Sequence, residues 1–305
     1  MNKKVFFKNS GLKMLLLVIL CVLSLHGQEE LRNQILCSDQ KTRDVFIMDA
    51  NGDWSKPESI LWKWNPKDDP NIPPERIRAF GNISDTKCVS GGKQVLVVAS
   101  GGGMALIDVA TKQSVFTAYP GGNTHSAELL PDGTVITASS TGATLKVFTR
   151  IGEEKTPHKE FTVKFPGGHG VVWDQIHGLV WGLGADSLVA FRYNFDVENP
   201  QLTQVQSFAL SKGYSGHDLV LLKKENKLLL TGRDVLEFDT MIGTFRQFSN
   251  KHSVKSISIH PETGEQLVQI PNEQWWNDTV MLLNGDRKWT LPNKARIYKT
   301  RWFSY

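Results

Sequence analysis

The chain contains Asn123-Thr-His125-Ser-Ala-Glu-Leu-Leu-Pro-Asp-Gly133, and this stretch decides the fold because it recurs. A second copy reads Gly168-His169-Gly-Val-Val-Trp-Asp-Gln-Ile-His-Gly178, and a third begins Gly216-His217-Asp-Leu-Val-Leu-Leu. Each copy follows a glycine-rich or polar loop, continues through an apolar segment and ends in a turn. The histidines are 44 and 48 residues apart. A period of this length in a β-rich chain is typical of propeller blades or a solenoid.

Strand-like segments follow each copy of the repeat. After His125 they lie at 134–139, 144–149 and 159–165, and they are rich in β-branched and aromatic residues. Similar segments follow His169 and His217, and the same pattern occurs after Lys87 and Lys255. Four short antiparallel strands in about 40 to 48 residues predict one propeller blade, so the sequence predicts five complete blades.

The two ends of the chain predict a sixth blade. The amino-terminal part has three strand-like segments, at 34–37, 44–49 and 59–64, and the carboxyl-terminal part has one, within 295–305. Pairing them closes the ring and removes exposed sheet edges. We therefore predict one all-β domain, 28–305, a six-bladed β-propeller of four-stranded antiparallel blades whose C-terminal strand joins the N-terminal blade. The loop 65–82 has a length that often carries function or forms a lid.

The first 27 residues are predicted to be a signal peptide. Four lysines and no acidic residue precede or flank an apolar run at 14–25, which is too short to span a bilayer. We therefore expect an exported protein, periplasmic or extracellular, with no stable membrane span. Without this leader the 35 basic and 31 acidic residues become 31 and 31. A net charge of zero disfavours a nucleic-acid partner.

Two cysteines, Cys37 and Cys88, remain after the leader. Export implies an oxidising compartment, so the sequence leaves open a single disulfide or two buried thiols. We expect the protein to be a monomer.

Propeller topology predicts one face that gathers chemically active side chains. The loop that enters each innermost strand lies on the same face as the loop between the second and third strands. The residues expected there as catalytic groups are His125, His169, His217 and Tyr214. Those expected there as ligand-binding groups are Lys87, Lys255, His252, Arg43, Arg233, Trp275, Trp276, Arg296, Lys299 and Arg301.

Three interpretations of the repeated histidine remain open. The imidazoles could hydrogen-bond neighbouring blades and have only a structural role. They could act as acid, base and cation toward an anionic ligand, because histidine titrates near neutrality. They could also bind zinc, manganese or iron, but the neighbouring lysines and arginines oppose a divalent cation. We therefore expect no cofactor and keep the three-histidine metal site as the least favoured alternative.

Two further features bear on the ligand. Trp275 and Trp276 are adjacent in a polar loop, and an indole left in water is typical of a site that stacks on a sugar ring. The alternative is that one indole packs under the loop while the other caps the blade. Glu128, Asp174 and Asp218 also lie on predicted innermost strands and could form the carboxylate pair of a hydrolase.

Four segments carry a resemblance to known proteins: Ile35-Leu-Cys-Ser-Asp-Gln40, Val45-Phe-Ile-Met-Asp49, Leu61-Trp-Lys-Trp64 and Asn123-Thr-His-Ser-Ala-Glu128. With them the chain resembles exported bacterial six-bladed propellers grouped as a domain of unknown function, which implies this fold and the cell envelope. The histidine positions are more loosely similar to those of oligogalacturonate lyases. Those propellers have seven blades, and such histidines hold a metal beside an acidic sugar.

The sequence thus favours an exported propeller that binds an anionic, uronate-containing carbohydrate at the channel mouth. Such a protein could also cleave its ligand, by lyase-type β-elimination or by hydrolysis. The alternative is a non-catalytic propeller that binds a glycan or a protein, or a scaffold of the cell envelope. Whether the protein is an enzyme stays open at this point.

Overall fold

The computed structural model describes residues 33–222 and 225–303. The predicted signal peptide, 1–27, lies outside the described residues. Within them, six four-stranded antiparallel sheets form the blades of a β-propeller. The fold predicted from the repeat is therefore confirmed.

The first blade is built from both ends of the chain. Its consecutive strands are β1 (Gln34–Asp39), β2 (Asp44–Asp49) and β3 (Ile60–Trp64), and β24 (Thr300–Trp302) pairs antiparallel with β1. The order β24-β1-β2-β3 makes the carboxyl-terminal strand the innermost of this sheet. The ring is thus closed as expected, although regular pairing occupies only three residues of the segment 295–305.

The other five blades each use four consecutive strands, the first of them innermost. Blades two and three contain β4 (Ile83–Val89), β5 (Gln94–Ala99), β6 (Met104–Asp108), β7 (Gln113–Ala118), β8 (Thr124–Leu129), β9 (Val135–Ser139), β10 (Thr144–Phe148) and β11 (Glu160–Lys164). Blades four to six contain β12 (Gly170–Asp174), β13 (Leu179–Leu183), β14 (Ser187–Tyr193), β15 (Leu202–Ala209), β16 (Asp218–Leu222), β17 (Lys227–Thr231), β18 (Val235–Asp239), β19 (Thr244–Ser249), β20 (Ser256–Ile259), β21 (Gln266–Gln269), β22 (Thr279–Leu282) and β23 (Lys288–Thr290). Short 3-10 helices lie at Pro57–Ser59, Pro74–Phe80 and Ser90–Gly92.

The hydrophobic core is divided among the gaps between blades. Six apolar clusters are buried, and each joins side chains of two neighbouring blades. Alternating strand residues point into the two gaps on either side of a blade, so both faces of most strands are apolar. Trp181, for example, packs against Phe238 of the next blade with ring centroids 5.6 Å apart. Burial of such side chains stabilises each one by about 1.5 to 3 kcal/mol.

The long loop 65–82 packs against the sides of blades one and two. Asp69 is 3% exposed, and its carboxylate accepts hydrogen bonds from the indole of Trp64 at 3.0 Å and from the backbone N–H of Ser114 at 2.8 Å. Phe80, at the end of the loop, is fully buried. The loop therefore links two blades, and these contacts do not place it over the channel as a lid.

Cys37 and Cys88 do not form a disulfide with each other, so that alternative is wrong; Cys37 is buried and Cys88 is half-buried. Burial raises the pKa of the Cys37 thiol, with a further contribution from the charge of Asp39. Among residues 33–222 and 225–303, we find no helix long and apolar enough to cross a membrane.

Candidate functional site

The three repeated histidines converge at the channel axis. The rings of His125 and His169 stack with centroids 4.3 Å apart and planes inclined by 22°, and the ring of His217 meets His169 edge-on at 5.5 Å. His125 belongs to β8, whereas His169 and His217 directly precede β12 and β16. We call these three residues the histidine cluster, and the face on which their entry loops lie the entry face.

Local sequence explains how one of these imidazoles reaches its place. Gly216 precedes His217, and a Cβ atom at this position would lie 2.6 Å from the backbone oxygen of Gly184. The entry loop of blade five therefore passes against blade four at a distance that only glycine permits. The backbone N–H of His217 then donates to Thr231 O at 2.7 Å, which fixes the imidazole at the start of the innermost strand.

The histidine cluster is neutral. Burial lowers the pKa of His169 to about 4, and burial together with the charge of Lys255 lowers the pKa of His217 to about 3. Burial and the neighbouring His169 hold the pKa of His125 well below its ordinary value. His169 donates from Nδ1 to Gly167 O at 2.8 Å, because a carbonyl oxygen can only accept. Its Nε2 is therefore the atom with a lone pair.

Lys255 adds a cation to this neutral cluster. Its Nζ donates to Nε2 of His217 at 2.8 Å, so the remaining proton of that imidazole is on Nδ1, which is buried and without a partner. Burial, followed by the charge of Lys299, lowers the pKa of Lys255 to about 8. Among the described residues, no carboxylate lies within 4.0 Å of its ammonium group.

The other cations of the channel are neutralised by buried carboxylates. Arg301 forms a bidentate pair with Asp218, at 2.6 and 2.7 Å, and also donates to Asp85 at 2.8 Å. Lys299 lies 3.3 Å from Asp218 and 3.8 Å from Asp85, and donates to the backbone oxygens of His125 and His169. We call these four residues the charged cluster: Asp85, Asp218, Lys299 and Arg301.

Lys87, Lys299 and Arg301 were predicted to bind the ligand, and the structure shows what holds their charges. All three are held by carboxylates, since Lys87 pairs with Glu128 at 2.8 Å and also donates to Val171 O. Burial raises the pKa of Asp218, but the charges of Arg301 and Lys299 outweigh that effect and keep the pKa low. Of Lys87, Lys255, Lys299 and Arg301, Lys255 is therefore the one without a carboxylate within 4.0 Å among the described residues.

The carboxylates considered for hydrolysis are also engaged. Glu128 and Asp218 have the partners just described. Asp174 ends β12 near the opposite face and accepts a hydrogen bond from Nδ1 of His177 at 2.7 Å. None of the three stands free beside the histidine cluster.

The tyrosine beside the histidines is Tyr298. Its ring centroid lies 5.6 Å from that of His125, its side chain is buried, and burial raises the pKa of its hydroxyl. Tyr214, the predicted catalytic tyrosine, lies in the core between blades four and five and donates to Leu230 O at 2.8 Å. The Tyr214 hydroxyl is thus hydrogen-bonded inside the fold, and Tyr298 takes the position beside the histidine cluster.

The remaining predicted residues lie in loops of the entry face. Trp275 is 44% exposed and donates from its indole to Gln40, whereas Trp276 is buried, with the guanidinium of Arg296 4.6 Å from its ring. One indole is therefore available for stacking and the other supports the loop. Asp234 engages two of the predicted ligand-binding residues, Arg233 at 3.3 Å and His252 at 2.8 Å. Arg43 occupies the left-handed turn that joins β1 and β2.

The model of a family of unknown function, DUF6528, matches residues 28–305. The chain belongs to the DUF6528 family. No curated protein matches this DUF6528 member. A solved structure of dihydro-heme d1 dehydrogenase NirN in complex with DHE is similar, with 12% identity and a TM-score of 0.49. The match covers 88% of this chain but only 53% of that one, and so distant a likeness says nothing about the ligands of this DUF6528 member.

The ring geometry of this DUF6528 member does not suit a metal held by the three imidazoles. A metal ligand presents its nitrogen lone pair in the plane of the ring, at about 2.0 to 2.1 Å for zinc. The near-parallel stacked planes of His125 and His169 cannot both contain one ion at that distance. The described residues include no group of His, Cys, Asp or Glu suited to a metal ion.

Two residues of the site in this DUF6528 member, Asp85 and Tyr298, were not among the predicted site residues. Asp85 lies on β4, two positions before Lys87, and this spacing on a strand was the available signal that both face the channel. Tyr298 directly precedes Lys299, but its contact with His125 depends on the exact course of the closing segment.

Proposed function

We propose that this protein is exported and binds an anionic, uronate-bearing carbohydrate at the channel mouth on its entry face. The observation that carries the proposal is Lys255, an ammonium group without a carboxylate partner among the described residues, hydrogen-bonded to neutral His217. The charged cluster has no net charge, because it contains two cations and two carboxylates. A single carboxylate from a ligand would restore neutrality at Lys255.

Sugar recognition would use the neutral groups around that cation. Nε2 of His169 keeps a lone pair, because the ring proton on Nδ1 is donated to Gly167 O, so this nitrogen can accept a hydrogen bond from a sugar hydroxyl group. Trp275, with 44% of its surface exposed, provides an apolar ring for the C–H face of a sugar. Export rests on the basic and apolar leader at 1–27.

The same parts would support β-elimination. Lys255 would neutralise the uronate carboxylate and so acidify the C–H bond next to it. Nε2 of His169 would accept that proton, the electron pair would form a C=C bond, and the C–O bond to the leaving sugar would break as its oxygen takes up a proton from water. Hydrolysis is disfavoured because Glu128, Asp174 and Asp218 all have partners.

A binding role without catalysis is the second candidate, and one observation favours it. The pKa of His169 is about 4 and that of His217 about 3. A general base is most effective when its pKa lies near the working pH, so these imidazoles are weak bases at neutrality. A glycan-binding propeller needs only their hydrogen-bonding capacity.

The experiment uses a panel of uronate polymers and oligosaccharides. Binding is measured by titration calorimetry, and elimination by the ultraviolet absorbance of the unsaturated product. For an enzyme, His169→Ala should abolish turnover and keep part of the affinity, whereas His177→Ala, near the opposite face, should change neither. Affinity without product assigns the binding role, and no affinity for any uronate ligand contradicts the proposal.

A further inference from the structure

In the part of the chain that the structure describes, the outermost strand of blade four carries a β-bulge but lacks the charged residues and covering loops found on the other outermost strands. β15 (Leu202–Ala209) has eight residues, Leu-Thr-Gln-Val-Gln-Ser-Phe-Ala, none of them charged. Six of the eight are exposed, including Val205 at 42%. A long, uncharged edge strand presents unpaired backbone N–H and C=O groups and invites pairing with another strand.

The other outermost strands are shorter and are protected in one of two ways. Four of them, β3, β11, β19 and β23, carry at least one charged residue, such as Lys63 or Arg246. The fifth, β7, lacks charge, but loops cover it: Ser114 N–H donates to Asp69 and Thr117 N–H to Lys155 O. Among residues 33–222 and 225–303, we find no loop backbone group hydrogen-bonded to β15 in this way.

The sequence of this edge is nearly palindromic. Thr203-Gln-Val205-Gln-Ser207 reads almost the same in both directions. In an antiparallel pair of two copies related by a two-fold axis at Val205, Gln204 would face Gln206 and Thr203 would face Ser207. Amide and hydroxyl side chains both donate and accept hydrogen bonds, so every facing pair is compatible and no like charges meet.

Val205 has a special position on this strand. The register shifts between Ala190 and Phe191, so that Gln206 and Gln204 have partners on β14 while Val205 has none. Its exposed isopropyl group therefore contributes little to the packing of its own blade. At the two-fold axis it would meet its own copy and bury apolar surface.

In place of the monomer expected from the sequence, we propose that two copies of this chain associate through antiparallel pairing of their β15 strands. The dimer is isologous, with one eight-stranded sheet formed from the two copies of blade four. Because β15 is the outermost strand of its blade, the association leaves the entry face of both copies open. The inference does not depend on the proposed carbohydrate ligand.

Sedimentation equilibrium of the exported chain tests this proposal directly. We expect a mass twice that of the chain and, because the interface is uncharged, little change in the dissociation constant between low and high salt. Val205→Lys places two ammonium groups at the axis and should raise the dissociation constant by about tenfold or more. Gln247→Lys, an exposed position on the outermost strand of blade five, is the matched control and should leave the dimer intact.

Charge pairing provides a second readout that loss of folding cannot imitate. Val205→Lys and Val205→Glu should each be monomeric with the circular dichroism spectrum of the wild type, and their equimolar mixture should recover the dimer. A monomeric wild type overturns the proposal. So does a dimer that Val205→Lys leaves unchanged, because its interface would then lie elsewhere.

Discussion

The ammonium group of Lys255 lies 2.8 Å from Nε2 of His217, and both residues enter innermost strands of neighbouring blades. Lys255 donates and His217 accepts, so the pair carries one positive charge and not two. Burial penalises that charge, and Lys299 adds repulsion from below. A ligand carboxylate at this position would relieve both effects, which makes the pair the most sensitive point of the site.

Affinity for a uronate ligand should fall at alkaline pH. The pKa of Lys255 is about 8, so its ammonium is almost fully charged at pH 7 and largely neutral at pH 9. If binding needs the charged form, the dissociation constant rises about tenfold between these pH values. Calorimetric titration at pH 7, 8 and 9 measures this change.

Lys255→Met should weaken binding and abolish its pH dependence, because no group titrating near 8 remains among the site residues described. Lys251→Met removes a charge from the same entry loop, where Lys251 is exposed, and should preserve the pH profile. Affinity that increases with pH would contradict the assignment of Lys255 as the cation that binds the carboxylate.

Acid should destabilise the protein through the histidine cluster. The pKa values of His169 and His217 are about 4 and about 3, below the ordinary 6.5 that an unfolded chain approaches. Between pH 6.5 and pH 4 the unfolded chain therefore binds more protons than the folded protein. The free energy of unfolding consequently decreases as the pH falls through this range. Each imidazole contributes a slope of at most about 1.4 kcal/mol per pH unit.

Urea unfolding at pH 7, 6, 5 and 4.5 provides the measurement. His217→Gln keeps an oxygen acceptor for Lys255 but cannot titrate, so its unfolding free energy should depend less on pH than that of the wild type. Gln247→Asn, at an exposed position without a titratable side chain, serves as the control and should show the wild-type slope. Identical slopes for wild type and His217→Gln would show that His217 is not held neutral by burial.

The fold was predictable because its signals are local and repeated. Histidine spacing and alternating strands established the period, and the unpaired strands at the two ends implied ring closure, which the pairing of β24 with β1 confirms. The position of the histidines on the axis followed from the topology alone. Neither step required knowledge of a side-chain partner.

The electrostatics of the site depend on partners from distant parts of the sequence. Arg301 and Asp218 are 83 residues apart, and Arg301 and Asp85 are 216 residues apart. The sequence indicated basic residues at the channel but not the carboxylates that neutralise them. Tyr214 was misplaced for a local reason, because the left-handed Ser215 turns the entry loop and Tyr214 packs between blades.

The two adjacent tryptophans should respond differently to truncation. Trp275→Ala removes an exposed indole, so it should weaken carbohydrate binding by about 1 to 2 kcal/mol, the range of an aromatic contact, and hardly change thermal stability. Trp276→Ala removes a buried ring in contact with Arg296 and should lower stability by about 3 to 5 kcal/mol. Calorimetry and thermal unfolding of both variants measure the two effects, and equal losses of stability would contradict the different burial of the two rings.

Arg301 should contribute strongly to the closure of the ring. It lies on β24 and joins blade one to Asp85 of blade two and Asp218 of blade five, so Arg301→Met leaves excess negative charge buried in the channel. Loss of one partner from such a buried group costs about 3 to 5 kcal/mol. Arg246→Met should cost much less, because the Arg246 guanidinium is exposed and its partner Glu237 keeps a second ion pair with Lys227. Adding Asp218→Asn to Arg301→Met leaves Lys299 and Asp85 as a balanced pair and should recover part of the loss. Urea unfolding of the three variants decides the point, because a double variant less stable than Arg301→Met would mean that Asp218 stabilises the channel by some means other than its charge.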